Sequence, residues 1–352
     1  KYIIFLRLAI SGLISFLYKH SPALLKAATL VSCCYRRQIA QAAAVALVLG
    51  LLYWRLTAHD FAWADLWASL AQARPMLVIA AALALPFNIG LEAQKWRLLL
   101  RPFYPQLRLW PAFKGVLAGA ALGFITPNRV GDYAGRLMSL PAGARWEAGA
   151  LTLADRLSQM LVTLGAGALA LWGFALKPAP PLTAVMMAGP LALTCCGVLL
   201  FIIRPQMAAV LFKWLARRRW LRRYATLGRL SAGLGALTFG VFLRTLGLSG
   251  LRYVVFTTQY VLLMYAFGAS LPVWEAAGLA AAVFVIKSFI PSIALAELGV
   301  REHIALHVFA WSHVGPAATL SATFSLFLLN LVLPALLGLL CLPQLPWSRP
   351  QS

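Results

Sequence analysis

Acidic residues are scarce in this sequence: nine Asp and Glu in 352 residues, against 31 Lys and Arg. Charged residues make up only 11% of the chain and hydrophobic ones 62%, whereas a soluble domain carries about 25% charged residues. That shortage excludes an ordinary soluble domain. Disorder is excluded as well, because a chain with 12 Trp and 19 Phe has no reason to stay solvated. Cysteine is sparse too: Cys33, Cys34, Cys195, Cys196 and Cys341 come with no CxxC and no His/Cys cluster. The adjacent pairs lie in apolar runs and read as small packing residues. No G-x-x-x-x-G-K-[ST] occurs, so ATP drive within this polypeptide is not expected.

What is present is cationic charge, +22 net. A nucleic-acid binder gathers such charge on a soluble face, but here the cations lie between long apolar runs, so no nucleic-acid partner is expected. The class is an all-α, polytopic transmembrane helix bundle. Runs long enough to cross a bilayer, about 17–25 residues, lie near 38–56, 76–94, 148–174, 183–203, 245–268 and 317–341. Two shorter runs, 112–126 and 276–290, each stop at a proline, Pro127 and Pro291. Both read as re-entrant half-helices.

Lys and Arg accumulate in cytoplasmic loops, and their placement orients the chain. Lys19, Lys26, Arg36 and Arg37 precede the 38–56 span, whose N-terminal side is therefore inside. Eight cations and no acid between 204 and 230 mark a second inside loop, and Lys177–Pro181 is an outer turn. Parity then makes the run at 112–126 either re-entrant from inside or paired with a second short helix in 127–147, while 276–290 dips from outside and pairs with 300–312. Elements of opposite sense in the two halves are the inverted-repeat layout of many secondary transporters. No strong internal repeat accompanies it, so the repeat is a topological inference. Residues 1–35 lead the bundle with an apolar, basic segment that fits a signal-like segment, an interfacial helix or a short span. The bundle occupies 36–342, and 343–352 is a tail. Between 205 and 230, apolar residues on one side of a helix and Arg217–Arg223 on the other suit a helix lying on the anionic inner leaflet.

Ionisable residues in hydrocarbon are functional candidates by default. Glu92 shares a helix face with Asn88, and Pro86 frees a backbone carbonyl near residue 82. Lys95, Trp96 and Arg97 read as anchors at headgroup depth. From Gly123 to Arg136, Pro127, Asn128 and Gly131 break a helix beside Arg129, Asp132 and Arg136, whose guanidinium forks match phosphate oxygens. An internal Arg–Asp bridge is the competing reading. Thr152, Asp155 and Gln159 form a polar stripe in an apolar span, with Arg156 beside it. In the second half, Lys287 precedes Pro291, and Gly299 is placed to start a new helix with Arg301 and Glu302 in its first turn. His303 and His307 are four apart, but a third ligand is missing and no metal site is expected.

Three of these segments resemble the lysylphosphatidylglycerol synthase transmembrane region, also called the flippase-like family. They are Asn88–Leu100, Asn128–Arg136 and Pro291–Glu302, with Asp155-Arg156 where members tend to carry an acidic-Arg pair. The chain departs from that pattern in having Asp132 where Glu is commoner and Ala296-Glu297 where Gly-Gly is usual. Members fused to a soluble aminoacyl-transferase domain make and flip aminoacylated phosphatidylglycerol. With no such domain after Ser352, aminoacyl transfer is not expected.

The resemblance and the intramembrane arginines together imply translocation of a phospholipid or lipid-linked anionic headgroup across the cytoplasmic membrane. Arg129, Arg136 and Arg301, with Asn128, would hold the phosphate. Glu92, Asp132, Asp155, Glu297 and Glu302 would balance them or relay protons, and Pro127, Gly131, Pro291 and Gly299 would make the re-entrant turns. No cofactor and no catalytic residue is expected. Membrane lipids are the expected partners, and the oligomeric state stays open, a homodimer included. The alternative is a membrane-embedded enzyme acting on a lipid phosphate or lipid-linked sugar, with Asp132 or Asp155 as base. A third reading is a scaffold whose 205–230 helix recruits partners.

Overall fold

A computed structural model describes residues 71–126, 129–141, 143–176, 225–290 and 294–345, with Ala68 and Gly189 as isolated positions; side chains at 225–228, 231 and 294–298 are not described. Residues 1–35, the runs at 38–56 and 183–203, the turn at 177–181, most of 205–230, and Pro127, Asn128 and Pro291 therefore lie outside the described residues, as does the side chain of Glu297.

Among the described residues every regular element is helical: α1 Pro75–Leu100, α2 Leu109–Ile125, α3 Val130–Met138, α4 Arg145–Ala175, α5 Ala225–Gly235, α6 Phe239–Ala266, α7 Val273–Ser288, α8 Ala294–Phe309, α9 Pro316–Phe327 and α10 Leu333–Cys341. Three of them, α1, α4 and α6, are long and apolar enough to cross a membrane, and so is the continuous stretch Pro316–Gln344 that contains α9 and α10. They fall on the runs at 76–94, 148–174, 245–268 and 317–341. Large apolar side chains stand exposed on their outer faces, among them Leu83 and Phe87 on α1, Leu169 and Trp172 on α4, and Leu243 and Val254 on α6. In water such patches would drive association; against lipid tails they cost nothing. The chain is an all-α, multi-pass membrane bundle.

The stretch Pro316–Gln344 is not uniform. Between α9 and α10 it widens into a π-helical turn, Leu328–Val332. Pro334 has no N–H to offer the carbonyl of Asn330, and the widened turn accommodates that loss. Asn330 accepts a hydrogen bond from Asn88 Nδ2 at 3.1 Å. Asn88 Nδ2 also reaches Gln259 Oε1 at 3.3 Å, and Gln259 Nε2 donates to the Ala81 carbonyl at 2.9 Å, one residue from the position opposite Pro86. Polar groups buried in an apolar bundle thus satisfy one another across α1, α6 and the π turn.

The two short apolar runs are α2 and α7. At 1.5 Å per residue both fall short of a hydrocarbon core about 30 Å thick. α3 folds back antiparallel on α2, and glycine permits the approach. Gly115, Gly119 and Gly123 recur every fourth residue on α2, and Gly131 and Gly135 do so on α3. A Cβ on Gly135 would lie 2.5 Å from the Ala118 carbonyl oxygen, and one on Gly119 would lie 2.5 Å from Asp132 Oδ1. This is the small-xxx-small packing of membrane helices. α10 closes on the other side of α2, where Gly338 meets the Leu117 carbonyl.

Two expected turn residues are not in turns. Between α2 and α3 the chain reverses at Thr126–Arg129, and Gly131 lies in the first turn of α3. The Thr126 hydroxyl donates to the Leu122 carbonyl at 3.0 Å and accepts from the Gly131 N–H at 2.7 Å. Arg129 takes the left-handed conformation there, φ 56°, at a cost of about 1–2 kcal/mol for a residue with a Cβ. Gly131 is small because Leu122 backbone crosses it. Gly299 lies inside α8, which starts at Ala294, so Arg301 and Glu302 are in its middle and not its first turn. A single glycine costs a helix about 1 kcal/mol, too little to end one held by packing. The end of the 205–230 stretch also differs: α5 runs to Gly235 and packs on α4, with Gly233 against Glu147 backbone and Leu234 buried.

Gly338→Val should lower the unfolding temperature of the detergent-solubilised protein, by about 1–3 kcal/mol of overpacking. Gly90→Ala, at a position with open space around it, should leave that temperature unchanged or slightly raised.

Candidate functional site

The intramembrane charges converge on Arg136. Its Nε donates to Asp132 Oδ1 at 3.2 Å, Nη1 to Asp155 Oδ2 at 3.1 Å and Nη2 to Glu92 Oε1 at 2.5 Å. One guanidinium thus binds carboxylates from α3, α4 and α1, and only its fork geometry can serve three acceptors in a plane. The Trp96 ring lies 5.8 Å from its central carbon. Arg136 is 1% exposed.

Lys95 closes the far side, with Nζ 3.0 Å from Glu92 Oε2 and 3.1 Å from Asp155 Oδ1. Arg156 Nη2 bonds Asp132 Oδ2, and its Nη1 lies 3.6 Å from Glu92 Oε1. Arg252, from α6, sets Nε 3.4 Å from Glu92 Oε2 and donates from Nη1 to Gln159 Oε1 at 3.2 Å. Three carboxylates face four cations. Burial makes any lone charge costly, and each of these seven side chains has at least one partner of opposite charge within the network.

Two cavities adjoin this network. The smaller, about 90 Å³, opens beside Glu92, Asp132 and Arg136 and is walled by α1, α2 and the π turn. The larger, about 390 Å³, has Arg129, Arg156, Arg252, Lys287 and Arg301 in its lining, with Gln159 and Asn330 and the rings of Tyr253, Phe256 and Phe284, and no carboxylate among the described residues. Arg129, Arg156, Arg252, Asn330 and Leu331 line both, so the two spaces adjoin. The larger is a cationic chamber, reached by α3 from one half of the sequence and by α7 and α8 from the other.

The structure divides the expected ligands. Arg129 and Arg301 line the chamber. Arg136 lines only the smaller cavity, with its fork already on three carboxylates, so the internal Arg–Asp bridge that competed with phosphate binding is present. Glu92, Asp132 and Asp155 are brought together. Glu302 lines neither cavity, and His303 and His307 are exposed on α8.

Lys95 and Trp96 are not headgroup anchors: both are fully buried, Lys95 between two carboxylates and Trp96 donating from Nε1 to Thr152 Oγ1 at 3.0 Å. α1 continues six residues past the apolar run, so a position that looks terminal in sequence is interior in space. Arg97 donates to the Leu107 carbonyl at 3.0 Å. Arg252 and Asn330 were missed by sequence reasoning. Arg252 lies well inside the run at 245–268, and the cost of an intramembrane charge was signal enough to find it.

Arg136→Ala should destabilise the protein by several kcal/mol, the cost of about 3–5 kcal/mol for breaking a buried pair, read as a drop in unfolding temperature in detergent. Lys95→Met alone should also destabilise, and Lys95→Met with Asp155→Leu should cost less than the sum of the two single changes, because both remove the same Lys95–Asp155 contact.

No curated protein matches the chain. The family described as lysylphosphatidylglycerol synthase TM region matches residues 41–338, a range that contains α1 to α9, both cavities and every residue of the ionic network. The chain belongs to the lysylphosphatidylglycerol synthase transmembrane-region family of flippase-like integral membrane proteins.

Proposed function

We propose that this protein binds the anionic headgroup of a membrane lipid, a phospholipid or a lipid-linked phosphate, and moves it across the cytoplasmic membrane. The observation that carries the reading is the convergence of five cationic side chains, Arg129, Arg156, Arg252, Lys287 and Arg301, on one chamber set among helices whose outer faces are apolar. Guanidinium groups bind phosphate oxygens bidentately, and a desolvated chamber strengthens that attraction. Behind the chamber, the carboxylates on Arg136, Arg156 and Arg252 hold those side chains extended and make the buried charge tolerable before any lipid arrives.

Arg129 enters from the α2–α3 hairpin and Lys287 and Arg301 from α7 and α8, so the headgroup would lie between elements from the two halves of the chain. A shift of one hairpin against the other would expose the headgroup first to one side and then to the other, with α2 and α7 acting as re-entrant elements of opposite sense. The orientation follows from the cations flanking the apolar runs, the N-terminal side of 38–56 being cytoplasmic. The basic 205–230 stretch would hold the anionic inner leaflet, at about 1 kcal/mol per cation.

The protein is taken to be a transporter and not an enzyme. Asp132 and Asp155, the bases an enzymatic reading requires, are each tied to two cations, and Asp155 is wholly buried and lines neither cavity.

In proteoliposomes, a leaflet-accessibility assay with fluorescent phospholipids and polyprenyl phosphates should show protein-dependent movement of at least one of them. Arg252→Gln or Lys287→Gln should slow it tenfold or more, about 1.4 kcal/mol of lost stabilisation, while Arg108→Gln, exposed in the α1–α2 loop, should not. Movement no faster than in empty vesicles for every lipid overturns the proposal.

A further inference from the structure

The chamber has an apolar extension. A groove of about 560 Å³ is lined by Ala166 and Leu169 of α4, Val254 and Thr258 of α6, and Gly278 and Ala281 of α7, among others. The same three helices wall the chamber with Gln159, Arg252 and Lys287. Along α4 the lining runs from 159 up to 170, along α6 from 252 up to 265, and along α7 from 288 back to 273. Chamber and groove are successive parts of one crease, about 20 Å long at 1.5 Å per residue. Its first turn is cationic, and no charged residue lines the rest.

Tyr253 lines both parts and marks the boundary. Its ring packs edge-on against Phe284 at 6.2 Å, and Phe256 packs on the same Phe284 at 4.8 Å. The groove is open to the side: Leu169 is 78% exposed and Val254 58%. Small residues, Ala166, Ala170, Ala277, Gly278 and Ala281, keep it hollow.

We propose that this groove holds the hydrocarbon chain of the lipid whose anionic headgroup occupies the chamber, with Tyr253 at the junction of head and tail. The inference rests on the headgroup reading above and adds the path of the chain. Charge at one end, hydrocarbon along the remainder, continuity through Tyr253 and a lateral opening are what a single-chain amphiphile presents in complement. A soluble anion would use the chamber alone. A second copy of the chain or another segment of it would fill the apolar part without needing the cations.

The test uses the full chain in detergent, with hexadecyl phosphate carrying a diazirine at the chain end as the lipid probe and inorganic phosphate as the headgroup alone. Photolabelling, located by peptide mass spectrometry, is expected on the groove faces of α4, α6 and α7, and it should fall with excess inorganic phosphate and in Arg252→Gln. Val254→Trp with Thr258→Trp, one helical turn apart at exposed positions, should weaken hexadecyl phosphate binding at least tenfold. The same variant should leave inorganic phosphate binding within about twofold. If the double variant does not fold, Leu169→Trp carries the same comparison.

Labelling spread over Leu83 and Phe87 of α1, or unchanged lipid binding in the tryptophan variants, overturns the groove while leaving the headgroup reading standing. Binding of neither hexadecyl phosphate nor inorganic phosphate to the unaltered protein removes the headgroup reading and this inference with it.

Discussion

The guanidinium of Arg136 is the constraint on which the rest of the structure depends. A buried cation in an apolar bundle must find carboxylates, and the three it finds come from α1, α3 and α4. Those helices are therefore fixed in rotation as well as in position, because α1 must turn Glu92 inward, α3 Asp132 and α4 Asp155. Lys95 and Arg252 extend the same requirement along α1 and across to α6. Buried ion pairs are weak sources of net stability, and their attested use is to select one arrangement among several. In a bundle whose helices are otherwise apolar on every side, lipid and neighbour are nearly equivalent partners, and this network distinguishes them.

The packing of α2 and α3 serves the same end. Arg136 reaches its carboxylates because α3 lies against α2 at backbone contact, and five glycines, three on one helix and two on the other, make that contact sterically open. Thr126 and the left-handed Arg129 complete the reversal. The strained residue is also one that lines the chamber, an arrangement found where structure over-determines a functional position. Moving outward from Arg136, three carboxylates surround its guanidinium, Arg156 and Arg252 share those carboxylates, and the chamber beyond is lined by Arg129, Lys287 and Arg301 as well. An anion entering there meets cations already oriented by the layer behind them.

Much of this was legible in sequence, for reasons tied to particular residues. Apolar runs of bilayer length announced α1, α4, α6 and the Pro316–Gln344 stretch, and prolines at 127 and 291 marked the ends of the short runs. Glu92, Asp132 and Asp155 stood out because hydrocarbon penalises charge. Lys95 and Trp96 were misread as anchors because the apolar run ends at 94 while the helix continues to Leu100, and depth in a bundle is set by neighbouring helices and not by local hydropathy. Gly299 was misread as a turn because glycine permits a break without requiring one. Arg252 went unnoticed although hydrocarbon penalises its charge as it does those of Glu92, Asp132 and Asp155; what sequence could not supply was its partners, Glu92 and Gln159, which lie far away in the chain.

Composition and spacing by themselves determined that this chain is a multi-pass helical membrane protein, and which acids and arginines are too deep to be incidental. These are properties of single segments, governed by the transfer of side chains and backbone from water to hydrocarbon. Tertiary structure alone decided which charges meet. Whether an arginine packs against three carboxylates, like Arg136, or lines a chamber, like Arg129 and Arg301, depends on helix rotation, glycine-mediated approach and contacts between different helices. Electrostatic energy is pairwise and falls with distance, so it acquires a value only once the fold has set the distances.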